Sequence, residues 1–344
     1  MSEAVPKPTK KDYTSDQEVR WCPGCGDYSI LANLQRVMPE FGVPRENVVF
    51  VSGIGCSSRF PYYMNTFGFH TIHGRAPSFA TGIKASRPEL DVWVVTGDGD
   101  GLSIGGNHLL HTIRRNLDIQ ILLFNNRVYG LTKGQYSPTS LEGMRTKSSP
   151  QGAIDHPVDP IAFALGAGAT FVARTIDVDA KHLQEVLRRA HEHPGTAFVE
   201  ILQNCPVYND GEWSAVEDRE TRDRSALMLQ QGEPLVYGDA AGPLRGIRIE
   251  QGVPSIVDLP KGADPIEHGV AVHDETRTPA YAFALASITP PRFPTPVGVF
   301  RAVHKPTYED LLEAQVKEAV AQRGPGDLAA LLNSGDTWTV TSEP

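Results

Sequence analysis

Asp91-Val92-Trp93-Val94-Val95-Thr96-Gly97-Asp98-Gly99-Asp100 and the later stretch Ile119-Gln120-Ile121-Leu122-Leu123-Phe124-Asn125-Asn126-Arg127-Val128-Tyr129-Gly130 decide the fold. Each opens on an apolar run of strand type and ends in a cluster of Gly, Asp or Asn. Runs this continuous belong to strands buried on both faces, the habit of a parallel sheet. An acidic residue between two glycines offers one hard oxygen ligand and a backbone that a phosphate can approach closely. An asparagine past the end of the next strand offers a second oxygen. Together they describe a Mg²⁺ or Ca²⁺ ion pinning a diphosphate. Taken singly, Asp-Gly and Asn-Asn are turn formers; the joint placement beyond two strand ends is what points to a site.

Working outward, the same rhythm recurs. Val48-Val49-Phe50-Val51 reads as a buried strand running into Ser52-Gly53-Ile54-Gly55-Cys56. Phe171-Val172-Ala173 and Ala197-Phe198-Val199-Glu200-Ile201-Leu202 read likewise, the second leading to Asn204-Cys205. Helical periodicity predicts helices over 29–38, 78–86, 107–115 and 180–191. A Gly-, Ser- and Pro-rich loop is expected over 132–150. Strand and helix in alternation give an α/β fold, a doubly wound and mostly parallel sheet, in which ligands bind beyond the carboxyl ends of the strands. Cys56, Asp98, Asn126 and Cys205 each follow a strand end, so four segments bring chemistry to one edge of one sheet. The expected organisation is a flexible segment over 1–17, the α/β domain over 18–215 and an irregular extension over 216–344. Short strands near 246–249 and 255–257 and one helix over 308–322 are expected in the extension, which packs on the main domain or on a partner.

The chain has 344 residues and a formal net charge of −9, a balance that argues against a nucleic-acid-binding surface. No apolar run is long enough to span a bilayer, and the polar N-terminus lacks the apolar core of a signal peptide. The expectation is a soluble cytoplasmic protein. Its four cysteines are Cys22, Cys25, Cys56 and Cys205. Structural disulfides are uncommon in that compartment, and one Cys-x-x-Cys with two distant thiols indicates a single four-thiolate site. A thioredoxin-type motif needs a strand in front of it, whereas the residues before Cys22 are mostly polar. The local sequence fits a Cys₄ zinc site and a [4Fe–4S] cluster alike.

Gly97-Asp98-Gly99 followed by Asn125-Asn126 resembles the signature of thiamine diphosphate enzymes. With Cys22-Pro23-Gly24-Cys25-Gly26-Asp27, Gly53-Ile54-Gly55-Cys56-Ser57-Ser58 and His73-Gly74-Arg75-Ala76, the chain resembles the β subunits of the 2-oxoacid:ferredoxin oxidoreductases, most of all the 2-oxoglutarate branch. That resemblance implies thiamine diphosphate, Mg²⁺ and one [4Fe–4S] cluster. Asp98, the Asn126 side chain and the Val128 carbonyl would hold the metal, and Cys22, Cys25, Cys56 and Cys205 the cluster. Gly53, Ile54, Gly55, Cys56, His73, Gly97, Gly99, Asp100, Tyr129, Gly130, Leu131 and Thr132 would line the cofactor, with Asp100 and Thr132 adding hydrogen bonds near the diphosphate. Arg59 is the candidate for a substrate carboxylate, and His73 for a donor to the keto oxygen; a surface ion pair and a packed, capping histidine are the plain alternatives. His70 is a weaker candidate. The implied reaction is reversible, coenzyme A-dependent oxidative decarboxylation of 2-oxoglutarate to succinyl-CoA and CO₂, with electrons passed to ferredoxin. The glutamate that activates thiamine lies in a second domain of this family's fold, which the chain lacks. An α subunit is expected to supply it in an α₂β₂ assembly, leaving the isolated chain inactive. Competing readings are a pyruvate:ferredoxin oxidoreductase β subunit, a thiamine enzyme without redox chemistry, and a zinc-stabilised assembly subunit.

Overall fold

The structure is a computed structural model that describes residues 8–239 and 242–341. Its strands in chain order are β1 (Val48–Ser52), β2 (Phe67–His70), β3 (Asp91–Gly97), β4 (Ile119–Asn125), β5 (Val128–Tyr129), β6 (Gln135–Tyr136), β7 (Phe171–Ile176), β8 (Ala197–Leu202), β9 (Ala226–Leu229), β10 (Val236–Tyr237), β11 (Leu244–Glu250), β12 (Val253–Leu259) and β13 (Thr295–Ala302). Eight of them form one sheet in the order β2-β1-β3-β4-β8-β7-β13-β9. Every neighbouring pair is parallel except β7 with β13. The remaining strands make a two-stranded hairpin, β5-β6, and a three-stranded antiparallel sheet, β10-β11-β12.

Alternation along the central strands divides the core in two. Val49, Val51, Val92, Val94, Ile119 and Ile121 face one layer of helices, Ala76–Ser86, Gly106–Arg115, Pro160–Gly166 and Pro279–Ala286. Phe50, Trp93, Val95, Leu122, Val199 and Ile201 face the other, where Ile30, Leu31, Leu34 and Val37 of helix Asp27–Val37 pack beside Leu183, Val186 and Leu187 of helix Ala180–Glu192. Successive strand side chains point to opposite faces, so two apolar layers require apolar residues at every position. That is why these strands read as unbroken runs.

Helices at 29–38, 78–86, 107–115 and 180–191 are present within two residues of their expected ends. Of the head over 1–17, residues 1–7 lie outside the described residues. Lys10–Tyr13 forms a 3₁₀ turn that buries Tyr13, whose hydroxyl donates to the Val43 carbonyl at 3.2 Å. The segment beyond 215 contributes two strands to the main sheet, β9 and β13, besides the antiparallel sheet. The helix Tyr308–Arg323 is anchored through its first turn, where Glu309 accepts from the Asp118 amide at 2.8 Å. Among the described residues, no helix is long and apolar enough to cross a membrane.

Two buried polar contacts are expected to govern stability. Arg174 on β7 and Glu200 on β8 sit opposite in register and pair at 2.6 Å, with side-chain exposures of 8% and 1%. Glu200 also accepts from Asn125 Nδ2 at 2.7 Å. Arg174→Met leaves the carboxylate buried without its cation, and the expected cost is about 3–5 kcal/mol in urea unfolding; a loss below about 1 kcal/mol counts against a buried charge at this position. His193 is 9% exposed and its Nε2 lies 2.8 Å from the Thr170 hydroxyl. Burial pushes its pKa down to about 4. An unfolded histidine takes a proton near pH 6.5, so below that pH the unfolded chain binds more protons and stability falls until about pH 4. His182 and His273 are shifted down by burial too and act in the same direction. Relative to His193→Gln, the wild-type protein should lose about 2 kcal/mol between pH 7 and pH 5. Parallel denaturation curves for the two proteins across that range would refute the assignment.

Candidate active site

The carboxyl ends of β1, β3, β4 and β8 open on one cleft lined by Ile54, Gly55, Cys56, His73, Gly97, Asp98, Gly99, Asp100, Asn126, Val128, Tyr129, Gly130, Leu131 and Thr132, together with Asp27 and Gln203. The sequence-predicted cofactor residues therefore converge, Gly53 alone standing one residue behind the lining.

Asp98 opens the short helix Asp98–Leu102 and is 2% exposed. Its Oδ2 accepts from the Ser137 hydroxyl at 2.5 Å and from the Thr139 hydroxyl at 2.6 Å. Burial pushes its pKa up to about 6, against the opposing pull of those two hydroxyl donors. Asn126 follows β4, and its Oδ1 accepts from the Val128 amide at 3.1 Å, a local turn closed by the side chain. Arg127 between them adopts φ +56°, which points consecutive backbone groups of this loop in different directions. The Tyr129 ring lies on the backbone of the Gly-Asp-Gly turn, and its hydroxyl donates to the Gly99 carbonyl at 3.0 Å. A Cβ at Gly99 would stand 2.2 Å from that ring, so the second glycine of the motif is fixed by packing.

Asp100 plays a different part from the one its sequence position indicates. It accepts from the Ile54 amide at 3.0 Å, the Gly74 amide at 2.7 Å and the Thr96 hydroxyl at 2.6 Å, and His73 Nδ1 lies 2.6 Å away. Its carboxylate is thus engaged by protein donors and ties the Gly53–Cys56 loop to the His73–Gly74 turn. The same contact assigns Nδ1–H as the donor on His73, leaving Nε2 as the acceptor of the neutral ring. Thr132 is exposed at the cleft wall, its hydroxyl bonded to Gln135. Arg59 lies half-buried one turn beyond Cys56 and does not line the cleft. His70 is held by the Ser52 hydroxyl and the Ser58 carbonyl, both at 3.0 Å, outside the cleft.

The cysteines arrive on three segments that are stitched together. The Trp21 indole donates to the Cys56 carbonyl at 2.7 Å, and the Gly26 amide to the Asn204 carbonyl at 3.2 Å. All four thiols are free. Burial pushes the Cys25 thiol up and the Cys56 thiol up to about 12, with Asp27 and the other cysteines adding to both. A Cβ at Gly130 would lie 3.6 Å from Cys56 Sγ and 3.7 Å from Cys205 Sγ; the glycine leaves this space open beside both sulfurs. Among the described residues, no three His, Cys, Asp or Glu side chains are already closed around one point as a metal site. Three residues near the cleft were not singled out in the sequence: Ser137 and Thr139, which hold Asp98, and Gln203. They occupy stretches without periodicity, where no sequence signal marks them.

Residues 53–201 match the family model described as "Thiamine pyrophosphate enzyme, C-terminal TPP binding domain". The chain is 53% identical over 334 residues to the 2-oxoglutarate oxidoreductase subunit KorB of Mycobacterium tuberculosis, covering 96% of this chain and 88% of that protein. It is 49% identical over 213 residues to a 2-oxoacid:ferredoxin oxidoreductase subunit β of Saccharolobus solfataricus, covering 61% and 68% of the two chains. Among solved structures, a 2-oxoglutarate:ferredoxin oxidoreductase from Magnetococcus marinus, with 2-oxoglutarate, coenzyme A and succinyl-CoA bound, superposes with a TM-score of 0.75. That match has 31% identity and covers 97% of this chain and 98% of that one. The fold is that of the thiamine diphosphate enzymes' C-terminal binding domain. More narrowly, the chain belongs to the β subunits of the 2-oxoacid:ferredoxin oxidoreductases.

Proposed function

We propose that this chain is the β subunit of a cytoplasmic 2-oxoglutarate:ferredoxin oxidoreductase that catalyses the reversible, coenzyme A-dependent conversion of 2-oxoglutarate to succinyl-CoA and CO₂. The observation that carries the reading is the adjacency of two donor sets at one sheet edge. The buried oxygen of Asp98 and the oxygens of the Asn126–Val128 loop suit Mg²⁺ and a diphosphate. Beside Gly130 at the same cleft, Cys56 and Cys205, with Cys22 and Cys25 on the segment stitched to both, form a donor set suited to one [4Fe–4S] cluster. Gly130 itself supports this fit, because any side chain there would occupy the space beside the two sulfurs.

Bound in the cleft, thiamine diphosphate supplies the electron sink for decarboxylation. The protein's own groups orient and enclose. Asp98 holds a fixed negative charge at the cleft floor under two hydroxyl donors. Asp100 locks the Gly53–Cys56 loop against His73. The His73 ring lines the cleft with Nδ1–H committed to Asp100, which leaves Nε2 as the ring atom able to take or return a proton. The family's α subunit would provide the glutamate this chain lacks, and ferredoxin would accept the electrons, in an α₂β₂ assembly.

The test is anaerobic co-expression with the α subunit followed by iron and sulfide analysis and a panel of 2-oxoacids. Four iron atoms per β chain and a preference for 2-oxoglutarate are expected. Preference for pyruvate overturns the substrate assignment, and zinc in place of iron overturns the redox assignment.

A further inference from the structure

Gln203 lies directly after β8 and is 1% exposed. Its backbone amide donates to the Asn125 carbonyl at 3.0 Å, which continues the β4–β8 ladder one step past the strands. Its side chain therefore enters the cleft from a rigid strand end. The two ends of that side chain meet different partners. Oε1 accepts from Asn126 Nδ2 at 2.9 Å. Nε2 donates to Cys25 Sγ at 3.3 Å and to the Asn204 carbonyl at 2.5 Å.

A primary amide has two N–H donors and one carbonyl oxygen, and here all of them are engaged. The contact to Asn126 fixes which end of that amide is nitrogen. Its oxygen is then held on the opposite side, where it accepts from the Val128 amide. The contact to Cys25 places an N–H on a cysteine sulfur. Hydrogen bonds to ligand sulfurs stabilise the more negative, reduced state of a cluster and raise its potential. One planar group therefore touches both halves of the site.

We propose that Gln203 is a positioning residue that couples the two centres: its carbonyl orients Asn126 in the diphosphate–metal clamp, and its N–H donates to the Cys25 sulfur and raises the potential of the cluster. This inference rests on the reading of the four cysteines as cluster ligands. It makes a joint prediction that a packing role would not. Losing Gln203 should weaken cofactor binding and lower the cluster potential together, without loss of iron.

The experiment uses the αβ complex carrying Gln203→Met, which keeps bulk and removes all three hydrogen bonds, and Gln203→Glu, which keeps shape and removes the donors. Three quantities are read: iron per β chain, the Kd of thiamine diphosphate with Mg²⁺, and the midpoint potential of the cluster followed by its EPR signal. The expected result in both variants is unchanged iron, a midpoint potential more negative than wild type and, in Gln203→Met, a cofactor Kd raised about tenfold. If Gln203→Met does not assemble, Gln203→Leu takes its place for the potential, because it too removes the donors without adding a charge beside the cluster. A potential equal to wild type in an iron-replete variant overturns the proposal. A wild-type complex without iron overturns the cluster reading and this inference with it. A cofactor Kd unchanged in Gln203→Met overturns the coupling to Asn126.

Discussion

Asp98→Asn should weaken the binding of thiamine diphosphate with Mg²⁺ by about a hundredfold or more, equivalent to about 2.7 kcal/mol. The substitution is nearly isosteric, and Asn keeps an oxygen to accept from Ser137 and Thr139, so the loop geometry survives. What it removes is the only formal negative charge the clamp presents to a cation, and divalent-ion affinity follows the charge of the ligand set. Groups that merely orient a ligand are worth about ten- to a hundredfold. Thr139→Val is therefore expected to fall at the lower end of that range and Asp98→Asn at or beyond its upper end. Titration calorimetry of the purified protein with the cofactor at saturating Mg²⁺ gives both numbers. Equal affinities for wild type and Asp98→Asn would remove Asp98 from the clamp. An effect of Thr139→Val as large as that of Asp98→Asn would mean the loop, not the charge, sets the affinity.

The contrast between Asp98 and Asp100 also shows where sequence reading runs out. Both follow a strand, both adjoin glycine, and by residue type both are metal ligands. Only the destinations of the hydrogen bonds separate them: Asp100 is engaged by Ile54, Gly74, Thr96 and His73. Three of these partners are more than twenty residues away, and no periodicity reports such contacts. The central strands were legible because burial on both faces forces an apolar residue at every position. The outer strands were not. β13 contains Pro296 and Gly298, residues that ordinarily demote a strand, and its register shifts between Val299 and Arg301. It holds its place through partners on both sides, β7 and β9. The cysteines were legible as a group because a Cys-x-x-Cys and two strand-end thiols share few uses. Gln203 was not, because glutamine after a strand has no characteristic role until its two ends are traced.

β2 is equally hard to read in sequence, and it leads to the second large expected effect. Among the described residues, Phe67-Gly68-Phe69-His70 pairs only with β1 and forms one edge of the main sheet. Phe67 is 63% exposed and Ile72, just beyond the strand, is 69% exposed. Phe69, Phe79 and Ile104 are exposed as well, and Ile72 adjoins His73 of the cleft. An open strand edge carrying large apolar side chains is a liability unless another surface covers it. In this family a second chain is expected to complete the site from outside, and this edge leads directly into the His73 turn that lines the cleft. The isolated chain should accordingly show no turnover of 2-oxoglutarate, and addition of the α subunit should restore it. Phe67→Asp combined with Ile72→Asp should weaken αβ association by about a hundredfold or more, since truncating apolar anchors at the centre of an interface costs about 2 kcal/mol or more each. Both side chains are largely exposed in the chain itself, so its own melting temperature should stay close to wild type. Sedimentation of the mixed subunits measures the association, and activity should fall in proportion to the complex lost. Full association and activity in the double variant would place the partner on another face. Turnover by the purified single chain would remove the need for a partner altogether.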